Sequence, residues 1–326
     1  MALPPVLQNL RLPIIGSPMF IVSGPEMVIA QCKAGIVGSF PALNARPAEV
    51  LDEWLDRITT ELAEHDQKNP DRPSAPFAVN QIVHKSNDRL MADVQMCVKH
   101  KAPIVITSLG AVPEVNDAVH SYGGIVLHDV INTRFARKAL EKGADGLVAV
   151  ASGAGGHAGT LSPLALIQEI REFFDGPLAL SGAIATGGAV AAAQAMGADF
   201  GYIGSAFIAT DEANAVDDYK DMIVGSTGEQ IVYTNLFTGV HGNYLRGSIE
   251  KAGMNPDDLP QSDPSTMNFA AGGGSKAKAW KDIWGSGQGI GAVKSRGSVA
   301  AYVEQLEAEY HATLDKLDAG RPKRWR

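Results

Sequence analysis

Apolar residues in this chain come in short bursts, each closed by glycine or serine and followed by a longer amphipathic stretch. Such a burst reads as a strand buried on both faces, and the periodic stretch after it as a crossover helix. The pattern predicts strands over 13–19, 36–40, 77–83, 103–107, 124–128, 146–151, 177–180 and 200–203. A helix begins near residues 23–26, with Ser23 as its expected cap and Pro25 in the first turn. The helix predicted over 47–64 carries the stripe Val50, Leu51, Trp54, Leu55, Ile58 and Leu62. The next opens at 86–88, with Leu90, Met91, Val94, Cys97 and Val98. Further helices are predicted over 112–120, 133–142, 163–174 and 189–196, and a last one over 298–317. That last helix shows Val299, Tyr302, Val303, Leu306, Tyr310 and Leu317 on one face.

Strands alternating with helices make a parallel α/β fold. Eight repeats without an extra edge favour a closed (β/α)8 TIM barrel over an open sheet. The alternation stops after about Asn214. Residues 215–275 read as a smaller, mainly helical inserted subdomain over the mouth, leaving 1–214 and 276–326 to the barrel. A flexible return over 269–276 leads to Trp280, Trp284 and a second glycine-rich loop over 285–291.

Function in such a barrel lies at the C-terminal ends of the strands. Those ends carry Met19, Ser39, Asn80, Ser108, His128, the stretch 152–157, the stretch 181–188, and Gly204 with Ser205. The loops Ser181-Gly182-Ala183 and Gly204-Ser205-Ala206 follow the seventh and eighth strands. Small residues there let backbone N–H groups approach a phosphate. No GxGxxG follows the first strand and no Walker motif is present, so a Rossmann or P-loop nucleotide site is not expected.

The other feature is the run Ala154-Gly155-Gly156-His157-Ala158-Gly159, a strand-end loop that presents one histidine. His157 has no bulky sequence neighbours, and an imidazole near neutral pH can take a proton or steady a negative intermediate. A lone histidine is more often structural, and its placement is what argues for chemistry. His65, His100, His120 and His311 fall on helices or helix ends and read as surface residues. His128 faces the mouth as either lining or packing. His84 falls in a loop, and His241 and Tyr244 lie in the subdomain stretch 238–244, which is expected to reach over the site, with their own roles left open. There is no nucleophile elbow and no carboxylate pair at strand ends. Asp129 is the acidic side chain nearest the mouth, while Asp145 and Asp199 precede their strands and belong to the opposite face. The chemistry then belongs to a cofactor.

Composition narrows the partners. A net charge of −8 and a pI near 5.5 argue against nucleic acid. The one dense basic run, 321–326, reads as a solvated tail. Cys32 and Cys97 sit in helical apolar patterns as buried thiols, and no metal cluster is expected. Neither a signal peptide nor a membrane span is expected, which points to the cytoplasm.

With these motifs the sequence resembles the nitronate monooxygenase family, formerly the 2-nitropropane dioxygenases. The likeness runs over nearly the whole chain. It rests on Pro18-Met19, Asn80, the 154–159 run, Ser181-Gly182-Ala183-Ile184, residues 203–207 and Trp284-Gly285-Ser286-Gly287-Gln288-Gly289. The resemblance implies non-covalent FMN. Its phosphate would lie on Gly182, Ala183, Gly204 and Ser205, with Ser181 and Gly156 beside the cofactor. Met19, Asn80 and Gln288 would touch the ring or ribityl chain, and His157 would face the reactive part of the ring. It further implies oxidation of alkyl nitronates such as propionate 3-nitronate with O2, giving a carbonyl compound and nitrite without NAD(P)H. Two positions depart from the family pattern: Gly153 stands where many relatives are acidic, and Ala183 where they tend to have glycine. FMN-dependent enoyl-thioester and quinone reductases share the histidine loop and form the alternative. A cofactor-free lyase or isomerase would need a strand-end lysine or carboxylate pair, and a polar mouth argues against a mere binding module. The partners expected are a small-molecule substrate and O2, with a homodimer compatible with the sequence.

Overall fold

The computed structural model describes residues 3–263 and 282–320. The expected return over 269–276, Trp280 and the 321–326 tail lie outside the described residues. In chain order the strands are β1 (Ile14–Gly16), β2 (Gly38–Pro41), β3 (Phe77–Ile82), β4 (Ile104–Ser108), β5 (Ile125–Val130), β6 (Gly146–Val150), β7 (Gly156–His157), β8 (Leu178–Ser181), β9 (Phe200–Ile203), β10 (Ile231–Thr234) and β11 (Gly242–Leu245). All but β7, β10 and β11 form one parallel sheet of eight strands in the order β1-β9-β8-β6-β5-β4-β3-β2. Its two ends meet where the Gly16 N–H donates to the Val37 carbonyl at 2.7 Å and the Val37 N–H to that of Ile14 at 3.1 Å. The sheet is therefore a closed barrel, as the eightfold alternation predicts.

The helices are α1 (Pro25–Lys33), α2 (Val50–Lys68), α3 (Leu90–Lys99), α4 (Pro113–His120), α5 (Thr133–Glu141), α6 (Pro163–Arg171), α7 (Gly187–Ala195), α8 (Ser205–Ile208), α9 (Asp217–Gly225), α10 (Arg246–Lys251) and α11 (Val299–Ala319). The stripe of α2 buries Leu51, Leu55, Ile58 and Leu62, each worth about 2 kcal/mol against exposure. Two stripe residues differ from expectation. Met91, in the opening turn of α3, is 45% exposed, and Leu317, in the last turn of α11, is 59% exposed. The cap of α1 is corrected too: Gly24 is the N-cap. Ser23 is fully buried, and its Oγ instead accepts the Met19 N–H at 3.0 Å, holding the loop after β1. Cys32 and Cys97 are buried free thiols, each pushed up to about 12 by burial.

The barrel interior packs Ile15, Val37, Ala78, Ile104, Ile106, Leu127 and Val148 in one cluster, with Leu7 of the N-terminal segment joining it. The opposite, N-terminal ends of the strands are tied by carboxylates. Asp145 Oδ2 accepts from the Val126 N–H at 2.7 Å and meets His120 Nε2 at 2.7 Å. Asp199 Oδ2 accepts from the Leu178 N–H at 2.8 Å and from Arg171 at 2.7 Å. α11 closes the ring against α7, so closely that a Cβ on Gly187 would fall 2.1 Å from the Leu306 carbonyl oxygen.

The segment after α8 contains the expected helices α9 and α10, and also a sheet that the pattern does not announce. In it β11 pairs antiparallel with β10 on one side and with β7 on the other. β7 belongs to the histidine loop, so this small sheet ties the segment after α8 to the loop after β6. Among the described residues no helix is long and apolar enough to cross a membrane.

Candidate active site

The loop after β6 is built by close approach. Gly153 and Gly156 adopt positive φ, 84° and 63°, which side chains resist. A Cβ on Gly155 would fall 2.8 Å from both the Gly287 nitrogen and Ser205 Oγ. The glycines thus let this loop press against the second glycine-rich loop and α8. Gly287 N–H donates to Ser205 Oγ at 2.8 Å, and Gln288 N–H to the Gly153 carbonyl at 2.9 Å.

Beyond that turn the chain enters β7, where His157 pairs with Gly242 of β11. Its Nε2 lies 3.2 Å from Thr238 Oγ1. Thr238 Oγ1 also meets the Val240 carbonyl at 2.8 Å, so this hydroxyl ties the Nε2 side of the ring to the 238–240 turn. Burial pulls the imidazole down to about 4. Near neutral pH His157 is therefore a neutral base, not a cation.

The histidine faces a cavity of about 1810 Å³ at the barrel mouth, above the usual size of a small-molecule site. The structure brings Met19, Asn80, Gly156, His157, Ser181, Gly182, Ala183, Gly204 and Ser205 onto its wall. Gln288 differs: Gly287 and Gly289 line the cavity, while Gln288 is exposed, its side chain beside Gly153. The loops after β8 and β9 are cradles that side chains would fill. A Cβ on Gly182 would sit 2.8 Å from the Ser152 carbonyl oxygen, and one on Gly204 3.1 Å from Ser17 Cβ. Ala183 accepts a positive φ of 56° there. Its N–H donates to the Gly153 carbonyl at 3.3 Å, a long bond that a phosphate oxygen would compete with. A room of this size, with small-residue walls on one side and polar groups on the other, fits a phosphate-tailed organic cofactor. Among the described residues no cluster of His, Cys, Asp or Glu could hold a metal ion.

A polar chain runs along the floor. Asn80 Nδ2 donates to the Ile106 carbonyl at 3.1 Å and to Ser108 Oγ at 2.8 Å, and Ser108 donates to Asp129 Oδ2 at 2.6 Å. Burial drives the Asp129 carboxyl up to about 7, against the opposing Ser108 hydrogen bond. His128 lines the cavity and is nearly buried, its Nδ1 2.6 Å from Thr107 Oγ1. Burial lowers it to about 4. Tyr202, from β9, also lines the cavity. His241 is exposed and stacks on Tyr233, ring centroids 5.0 Å apart. Tyr244 is fully buried, edge-on to Phe237.

Sequence reasoning misses Tyr202, and although it has the 238–244 stretch reaching over the site, it gives Thr238 no role of its own. Thr238 meets His157 across 81 residues, and no local pattern carries that. Tyr202 sits inside an apolar strand and reads as core. The signal available for Ser108 and Asp129 is their strand-end position alone.

The family model described as nitronate monooxygenase matches residues 6–309. A nitronate monooxygenase of Paraburkholderia phytofirmans is 26% identical, with 94% of each chain covered. The structure of a nitroalkane oxidase from Streptomyces ansochromogenes superposes with a TM-score of 0.79 at 24% identity, covering 96% of this chain and all of that one (100%). FabK from Thermotoga maritima gives 0.75 at 22% identity, over 96% and 97%. These two structures are alike in fold.

Proposed function

The chain belongs to the nitronate monooxygenase family and is an oxidoreductase, and from that premise we propose that it binds FMN at the barrel mouth and oxidises alkyl nitronates. Propionate 3-nitronate is the representative substrate, with O2 as co-substrate and a carbonyl compound and nitrite as products. FMN, when bound, supplies the electron-accepting ring and the place where oxygen reacts. The backbone of Gly182, Ala183, Gly204 and Ser205 would hold the phosphate, with Met19, Asn80 and Ser181 along the rest of the cofactor. Gly156 gives the loop its turn toward it.

The observation that carries this reading is His157, a neutral imidazole on a glycine turn that faces the cavity. Its uncharged ring can take a proton from the carbon of a neutral nitroalkane or hold the anionic nitronate in place. The β7–β11 pairing fixes the ring's backbone, and Thr238 holds its Nε2 side.

The reductase alternative draws on the rim. Phe20, Ile21, Leu109, Ile131, Phe135 and Val216 leave apolar surface exposed around the mouth, suited to a longer chain than a short nitronate. Anaerobic mixing separates the two. A one-electron change in the flavin spectrum with propionate 3-nitronate, and no bleaching with NADH or NADPH, is the expected result. Bleaching by a nicotinamide with no response to the nitronate overturns the proposal.

A further inference from the structure

Among the described residues three carboxyls line the cavity: Glu26, paired with Arg57, Glu212, which accepts the Val299 N–H, and Asp129, and the proposed chemistry uses none of them. β5 carries Asp129 to the cavity wall, opposite Val148 of β6. Its Oδ2 takes the only proton of Ser108, because Ser108 Oγ already receives a hydrogen from Asn80. The polarity of the chain is thereby fixed, from Asn80 through Ser108 to Asp129. The other oxygen, Oδ1, is buried and has no hydrogen-bond partner among the described residues.

The groups around it do not supply a countercharge. Asn80 and Ser108 come from β3 and β4, and both are neutral. On its own strand, His128 turns to Thr107. From β9, Tyr202 adds a buried phenol with Ser17 as its polar neighbour, and an ionised Asp129 would hold that tyrosine's proton on. No Lys or Arg among the described residues pairs with Asp129, in contrast to Arg89 with Asp93 or Arg171 with Asp199. An ionised oxygen buried without a donor is costly, and adding a proton to it removes that cost.

We propose that Asp129 is a second working group of the site: its carboxyl carries the acid proton, and a small turn of the side chain lets that proton donate a hydrogen bond into the cavity, to an oxygen or nitrogen that gains negative charge when electrons arrive. Burial of the carboxyl agrees with this, raising its midpoint to about 7. The acceptor is either the cofactor ring or the substrate's nitro group, which share that chemistry. The proton stays on Asp129 in this role, and no bond is broken. The inference rests on the cavity being the reaction site but not on nitronate as the substrate.

Infrared difference spectroscopy on the full-length protein reads the carboxyl directly. The band to follow is the carbonyl stretch of a protonated carboxyl that shifts on exchange into D2O, recorded across pH with and without FMN. The wild type is expected to keep this band up to a midpoint near 7, and Asp129→Asn to lack it. Ser108→Ala, which removes a donor to the ionised form, moves the midpoint higher still. A frequency shift on adding FMN assigns the acceptor to the cofactor, and a shift only on adding propionate 3-nitronate assigns it to the substrate. A wild-type midpoint in the ordinary range near about 4 overturns the proposal, as does a band unchanged in Asp129→Asn or insensitive to both additions. If Asp129→Asn does not fold, the wild-type titration and Ser108→Ala still decide. Failure of nitronate turnover leaves the carboxyl signal untouched, so the two readings fail separately.

Discussion

At the N-terminal end of the barrel, Asp145 and Asp199 each take a backbone N–H of a strand and a charged or chargeable side chain, His120 in one case and Arg171 in the other. At the C-terminal end, Asp129 is offered one hydroxyl and otherwise nothing among the described residues. The residue type is the same and the barrel is shared, yet the environments are opposed. A carboxylate supplied with donors ties strands together. A carboxyl denied them weakens the fold when ionised, and as the acid it has a hydrogen bond left to give. Sites of this kind are where a fold gives up stability for chemistry.

The sharpest way to test the contrast is at another titratable group of the mouth, His157. His157→Asn is expected to cut nitronate kcat/KM by about a hundredfold or more, with FMN stoichiometry and Tm unchanged. Steady-state kinetics beside a melting curve check this, and full activity in the FMN-loaded variant would remove His157 from the reaction. At the opposite end Asp199→Ala should do the reverse. Losing the partner of the Leu178 N–H and of Arg171 costs about 2 kcal/mol of stability, read by urea unfolding, while activity per folded molecule stays put.

A pH series breaks the comparison in a third way. The folded midpoint of Asp129 is raised to about 7, so its contribution is fully present below the ordinary range near about 4 and is lost as pH rises through 7. Asp129→Asn removes that slope and makes the protein more stable than wild type above about pH 7, as Tm against pH would show. The histidine works in the other direction: with a folded midpoint lowered to about 4, stability falls as pH drops from about 6.5 toward it. The kcat/KM profile should accordingly rise through about 4 and fall through about 7, with only the second limb missing in Asp129→Asn. The smallest effect belongs to neither end. The exposed pair of Arg11 with Glu307, 2.6 Å apart, should change stability by no more than about 0.5 kcal/mol on Arg11→Ala.

Much of this architecture is legible in the amino-acid order alone. Buried parallel strands announce themselves as apolar bursts, and all eight fall where the pattern puts them. The histidine loop is legible because glycine leaves few other reasons for a lone imidazole at a strand end. The β10–β11 sheet is not, because its strands are short and β10 is half exposed, so neither alternation nor an apolar run stands out. The Asn80–Ser108–Asp129 chain is hidden for a different reason. Each member is an ordinary strand-end residue, and only strand pairing in the barrel sets three successive strand ends side by side. Ser23 misleads because serine before a proline-led helix resembles a cap, whereas here its hydroxyl serves the preceding loop.

The pairing of β7 with β11 bears on how this fold can be recombined. Barrel and subdomain look like exchangeable parts, and a chimera would naturally be cut near residue 215 and again after the subdomain. The histidine, however, is an edge residue of the subdomain's sheet, held at Gly242. A transplanted subdomain whose edge strand is out of step by one residue would turn that ring to the opposite side. A graft that keeps the ring in place therefore keeps the register of Gly156 and His157 against Asn243 and Gly242.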